Sequence, residues 1–293
     1  RDRSEIVRAD QTVPESETMT AGTRIGIDPG VDRVLVARVT GRENGADDAV
    51  VESLTQGPAG ELPLDAKVTI AVPDCEVAVK QVHLAAAGGI DQLSRVTFEL
   101  AQTVLEPPEQ FQFEAVPTSN HDRMIGLIYR CERLRALEGR FFNGRDPVPR
   151  CHFLMRAVAL GRGYRQFAEH DSEGLLCLVD LANTSVSLCF LHDKGIVAVG
   201  HMVMNDTDRE SERSIRAFGV NLKSLINYQL AGCAQNGLAV PLSTVVMCGG
   251  MTGQSLFDAV APLFTARVVA PRPRAAGVTF GVVDGSVAFP DCL

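Results

Sequence analysis

Short apolar runs alternate with clusters of turn-forming residues along most of the chain. TRIGIDPGVDRVLVARVT (23–40) holds two runs of Val, Ile and Leu on either side of Asp-Pro-Gly. Asp, Pro and Gly supply the backbone angles of a tight turn, and branched residues suit a pleated surface, so this stretch predicts a β-hairpin. A polar loop over 41–48 leads to a third short strand at 49–54, and a Gly- and Pro-rich loop covers 56–65. KVTIAVP (67–73) is almost continuously apolar and predicts a strand covered on both faces. EVAVKQVHL (76–84) alternates and predicts another strand. Residues 91–106 predict a helix, with Ile90 just before it and Leu93, Thr97, Leu100 and Val104 along one face. Pro107-Pro108 end it, because proline cannot donate to the helical ladder. FQFEAV (111–116) and RMIGLIY (123–129) predict strands, 131–142 a helix, and CHFLMRAVALGRGY (151–164) turns helical after its first residues.

The strongest strand signal is GLLCLVDLANTSVSLCFLHDKGIVAVGHMVM (174–204), three apolar runs with turns near 181–184 and 192–195. Residues 208–231 predict a long helix with acids in its first turn. Ile215, Phe218, Leu222, Leu225, Tyr228 and Gln229 lie along one side, and Gly232 serves as its stop. STVVMCGG (243–250) predicts a strand running into a Gly-Gly turn, then a short helix over 255–264, a last strand over 266–271 and a terminal helix near 280–288. Residues 1–22 have no period and low hydrophobicity, which predicts a flexible tail.

With 45% hydrophobic and 22% charged residues in 293, the chain is of globular composition. Its longest uncharged run, 224–257, is interrupted by Gly, Pro, Asn, Gln and Ser and does not predict a membrane span. The polar opening residues predict no signal peptide, and the initial Arg reads as a trimmed or partial chain. A net charge of −8 argues against general binding to nucleic acid or anionic membranes. The charge is uneven, however. From Arg123 to Arg165 there are ten Arg against Glu132, Glu138 and Asp146. That excess reflects either an Arg-rich composition, with 24 Arg to 4 Lys, or a basic docking face. The eight Cys form no C-x-x-C pair, so they read as free thiols of a reducing cytosol, and the six His are too scattered to hold a metal.

Three turns carry candidate chemistry. Ile27-Asp28-Pro29-Gly30 and Val179-Asp180-Leu181-Ala182-Asn183-Thr184 are hairpin turns with an acid, and Cys248-Gly249-Gly250-Met251-Thr252 joins a strand to a helix. Small residues let backbone N–H groups approach a phosphate, and a neighbouring carboxylate can hold hydrated Mg2+. Asp28, Gly30, Asp180, Thr184, Gly249 and Gly250 are therefore the candidate nucleotide-site residues. Each turn alone is commonplace; their order, each after an apolar strand, is more specific.

In that order the turns resemble the phosphate-1, phosphate-2 and adenosine motifs of the actin-like ATPase superfamily. The stretch from KVTIAVPDCEVAVKQVHL to RMIGLIYRCERLRAL is similar to the inserted subdomain of the PilM family, cytoplasmic actin-like proteins of type IV pilus assembly. Related domains occur in type II secretion and in the cell-division protein FtsA. The resemblance spans about 23–290 and implies an α/β, ribonuclease H-like fold of two half-domains. The first would comprise 23–72 with 150–171, the insertion 73–149, and the second 172–293 with most of its outer subdomain missing.

The departures from the family pattern weaken the nucleotide site. Val31 and Asp32 follow Gly30 where the family has Ser or Thr after Gly. Ala182 stands in place of Gly and Val186 in place of Thr, and one helix replaces the adenine-covering subdomain. The resemblance then implies a cytoplasmic, non-enzymatic scaffold, peripheral to the inner membrane. It would dock the short cytoplasmic tail of an inner-membrane assembly protein and hold no cofactor, or ATP and Mg2+ only weakly, and self-association is open. In the family a partner peptide lies beside the insertion, so Arg123, Arg130, Arg133, Arg135 and Arg140 are the candidate partner-binding residues. An ATP-binding or ATP-hydrolysing protein of pilus assembly or cell division is the alternative, and a sugar-kinase-like enzyme a weaker third.

Overall fold

The computed structural model describes residues 22–29, 34–41, 50–56, 67–84, 92–120, 122–142, 150–168, 174–182, 185–193, 195–204, 211–249, 254–272, 282–283 and 286–287. The first hairpin is β1 (Gly22–Pro29) and β2 (Val34–Gly41), continued antiparallel by β3 (Val50–Gln56). β4 (Lys67–Val72) and β8 (Cys151–Met155) join parallel on the other side of β1, which gives a sheet of order β3-β2-β1-β4-β8.

The second sheet repeats that plan. β9 (Leu175–Leu181), β10 (Ser185–His192) and β11 (Gly195–Val203) form an antiparallel meander. β12 (Leu242–Cys248) and β13 (Arg267–Val269) add parallel beside β9, in the order β11-β10-β9-β12-β13. Every residue of β9 is buried. This is what a near-unbroken apolar run achieves when both sheet faces are covered.

Between the sheets lies α3 (Arg156–Phe167). Most of its residues are buried, and Ala157, Val158 and Leu160 belong to one apolar core with Ile27, Ile70 and Phe153 of the first sheet and Leu178, Cys189 and Ile196 of the second. Small residues on α3 permit this burial on all sides. A second core lies under α4 (Glu212–Gln235), where Phe218, Leu222, Ile226 and Cys233 are buried.

The insertion between β4 and β8 comprises β5 (Val77–His83), α1 (Gln92–Ala101), β6 (Phe111–Pro117), β7 (Arg123–Arg130) and α2 (Cys131–Phe142). Its sheet, β5-β7-β6, is antiparallel, and Val96 and Leu100 of α1 pack on Val82 and Ile128. Tyr129 anchors the insertion to the first half. Its buried hydroxyl donates to Glu114 Oε2 at 3.1 Å and accepts the Met155 N–H at 3.1 Å.

Several expected boundaries move. The helix expected over 91–106 ends at Ala101, before the prolines. α4 begins after Ser211, whose hydroxyl accepts the Ser214 N–H at 3.1 Å, and runs through Gly232 to Gln235. Its buried stripe excludes Tyr228, which is exposed. In place of the terminal helix stands a small hairpin, β14 (Val282–Val283) with β15 (Ser286–Val287). Of the expected tail, residues 1–21 lie outside the described residues and Gly22 already belongs to β1.

Candidate functional site

The ends of β1, β4 and β9 and the start of α3 converge between the two sheets. Asp28 lies at the end of β1 and Asp180 near the end of β9, both buried. Asp74, in a single 3-10 turn just after β4, is buried as well. Facing them is Arg156, the first residue of α3, only 4% exposed. Its guanidinium Nη2 donates to Asp28 Oδ1 in a buried ion pair. Asp74 Oδ1 accepts the Ala157 N–H at 2.9 Å, so this carboxylate satisfies an amide of the first turn of α3.

The electrostatics follow from burial and from the count of charges. Burial pushes the Asp180 carboxyl up to about 6; Arg156 opposes the rise, while Asp28 and Asp74 add to it. Burial also raises Asp74, against the hydroxyl of Ser187, the Ala157 amide and the positive fields of Arg156 and His201. Three carboxylates thus share one guanidinium, and both halves contribute. Asp28 and Arg156 come from the first half, Asp74 from the turn that leads from β4 into the insertion, and Asp180, Ser187 and His201 from the second half.

Gly249 closes the end of this site. It has φ +99°, and a Cβ there would collide with Asp180 Oδ1 and the Leu181 backbone, so only glycine fits. Gly30, Thr184 and Gly250 lie outside the described residues. The structure therefore brings Asp28, Asp180 and Gly249 together and adds Asp74 and Arg156, which the motif comparison missed. Both carried a signal. Asp74 directly follows an apolar strand, and Arg156 interrupts an otherwise apolar stretch from Phe153 to Leu160.

The five candidate partner-binding arginines do not form one cluster. Arg123 Nη1 donates to the side-chain oxygen of Asn236, at the end of α4 in the second half. Arg130 pairs with Glu106 at 2.6 and 2.8 Å and lies over the Phe111 ring, 5.2 Å from its centroid. Arg133, Arg135 and Arg140 are exposed on α2, and Arg140 lies over Phe141. Among the described residues no three His, Cys, Asp or Glu are placed to hold a metal ion, and no helix is long and apolar enough to cross a membrane.

Two five-stranded sheets of one topology, with buried acids at neighbouring strand ends, define the actin-like ATPase fold. Among solved structures the chain is similar to that of a PilM-PilN type IV pilus biogenesis complex, at 14% identity and a TM-score of 0.60, over 84% of this chain and 87% of that one. It also matches a Bacteroides thetaiotaomicron protein with an actin-like ATPase fold and unknown function, at 7% identity, TM-score 0.49, over 85% and 91% of the two chains. A further match is the cytoplasmic domain of EpsL, an inner-membrane component of the Vibrio cholerae type II secretion system, at 8% identity, TM-score 0.43, over 79% and 84%. Only the first superposes well enough to carry weight, and at 14% identity it concerns the fold alone. No protein-family model and no curated protein matches the chain.

Proposed function

We propose that this protein is an actin-like scaffold of a type IV pilus or type II secretion-like assembly. In this reading it works in the cytoplasm and docks the cytoplasmic tail of an inner-membrane partner, without turning over ATP. The fold likeness supports the assembly class. The observation that carries the loss of nucleotide chemistry is the buried pair between Arg156 and Asp28. In a Mg2+–ATP site the facing carboxylates hold a hydrated metal beside the phosphates. Here a guanidinium that cannot be deprotonated already neutralises Asp28. The residues therefore fit Mg2+–ATP poorly, and Val31, Asp32, Ala182 and Val186 weaken the donor side as well. A lost hydrogen bond to a charged group costs about 1.5–3 kcal/mol, so two such losses weaken binding by on the order of a hundredfold or more.

Calorimetric titration with ATP and Mg2+ tests the nucleotide half of this reading, and no saturable heat below millimolar concentration is expected. A low-micromolar dissociation constant that is lost in Asp180→Ala would instead establish the ATP-binding alternative. The assembly half is tested by co-expression with the cytoplasmic tail of a single-span assembly protein encoded nearby. Co-purification in a defined stoichiometry is expected, and failure with every such tail would remove the scaffold reading.

A further inference from the structure

The first sheet carries, at the start of its parallel strands, a basic cavity of about 570 Å3 that the candidate site does not use. Cavities that take small molecules range over about 300–1,000 Å3. Strand register explains the lining. Arg24 of β1 is level with Lys67 of β4. Val68 is level with Cys151, so Arg150, just ahead of β8, stands beside Lys67. Neighbouring strands lie about 4.8 Å apart, so the three cations form one row across three strands. Thr69 and His152, paired in the same register, belong to the next row. Successive side chains leave a strand on opposite faces. Ile25, Val68 and Cys151 turn to the core, so both rows stand on the other face.

Like charges directly opposite on neighbouring strands destabilise a sheet. Arg24, Lys67 and Arg150 break that rule twice in succession, and an anion between them turns the repulsion into attraction. Among the described residues no Asp or Glu lines the cavity. Glu114 of β6 lies 3.6 Å from the His152 ring but accepts the Tyr129 hydroxyl, and Glu138 acts on Cys151, on the core side. Arg24 and Lys67 have other neighbours as well. A guanidinium offers five N–H donors and an ammonium three, so each can hold a neighbour and an anion together. Planar guanidinium forks fit pairs of phosphate oxygens, and the Thr69 hydroxyl adds a neutral donor. A phosphate monoester carries a charge of about −1.5 to −2 near neutral pH, which suits a row of cations better than a single carboxylate does.

We propose that this cavity binds the phosphate monoester group of a small molecule or a lipid headgroup, clamped by Arg24, Lys67 and Arg150 with Thr69 beside them. The site is separate from the buried acids between the halves. Four residues lie between the levels of Arg24 and Asp28 along β1, about 13 Å at about 3.3 Å per residue. It is independent of the assembly reading, which failure of this site leaves standing.

The probes are glycerol phosphate and inorganic pyrophosphate, titrated into the full chain by calorimetry, and vesicles of phosphatidylcholine with and without phosphatidic acid, followed by co-sedimentation. Saturable binding below millimolar concentration is expected, weakened about tenfold or more by Lys67→Gln/Arg150→Gln and retained by Lys67→Arg. Both positions are exposed, so the variants are expected to fold, with thermal unfolding as the check. Arg213→Gln/Arg216→Gln removes the same charge from exposed positions on α4 and leaves binding unchanged. Co-sedimentation that requires phosphatidic acid and is lost in Lys67→Gln/Arg150→Gln assigns the headgroup; binding of the soluble phosphates without co-sedimentation assigns a small molecule. The proposal is overturned if neither the soluble phosphates nor the phosphatidic acid vesicles bind, or if Lys67→Gln/Arg150→Gln binds as the parent does. It is also overturned if citrate binds as tightly as pyrophosphate, since the row then reads charge alone and suits an acidic protein segment. Binding that is lost in Asp180→Ala and kept in Lys67→Gln/Arg150→Gln would put the phosphate between the halves and remove this site.

Discussion

Asp180 is the residue whose charge is hardest to keep, because it is buried beside Asp28 and Asp74 with one guanidinium among the three. Its carboxyl titrates near 6 when folded against an ordinary value of 3.8. Between those values the folded state binds the proton and the unfolded state does not, so stability falls as pH rises through about 4 to 6. Asp180→Asn removes that dependence and is expected to stabilise the protein at pH 7.5 by about 1–3 kcal/mol, with little effect at pH 4. Denaturant unfolding of both proteins at the two pH values measures it. The opposite change is Arg156→Met, which leaves three buried carboxylates without a cation. Breaking a buried pair from one side costs about 3–5 kcal/mol, and urea unfolding at pH 7.5 is expected to show a loss in that range. Asp28 and Asp180 were legible in the sequence because each ends an apolar strand at a turn. The pairing with Arg156 was not, since 128 positions separate it from Asp28.

At the scale of elements, strands were easier to read than helix ends. A strand buried on both faces writes itself as an unbroken apolar run, as in β4 and β9. A helix end is settled by packing. Gly232 reads as a stop, yet α4 continues because Cys233 is buried beneath it, and the chain turns only at Asn236-Gly237. A Cβ at Gly232 would meet nothing within 4 Å, so Gly232→Ala is expected to raise stability by about 0.5–1 kcal/mol in thermal or denaturant unfolding. Gly195 is the contrary case. There β11 starts against the insertion, with the Ser119 N–H donating to Ile196 O at 3.2 Å, and a Cβ would lie 2.8 Å from the Ser119 backbone. Gly195→Val is expected to cost about 1–3 kcal/mol and to speed hydrogen exchange at Ser119.

At the scale of the molecule, two kinds of contact tie the halves together. One is the buried ionic cluster centred on Arg156, and the other is the insertion, which reaches the second half through Thr118, Ser119, Gln81 and Arg123. A hinge motion would have to expose the first and break the second. Small-angle scattering with and without Mg2+–ATP is therefore expected to give the same radius of gyration; closure on addition would contradict a fixed arrangement of the halves.

The order of strands along the chain, the turns that carry Asp28 and Asp180, and the excess of arginine between 123 and 165 were properties of the sequence itself. They depend on local backbone preference, hydrophobic period and composition, which act over a few residues. Only the tertiary structure decided that Arg156 sits among three carboxylates and that Arg123 faces α4 while Arg133 and Arg135 stay on the surface. Those are contacts between segments far apart in the chain. They depend on how two sheets of the same topology are pressed onto α3, a geometry that no local pattern specifies.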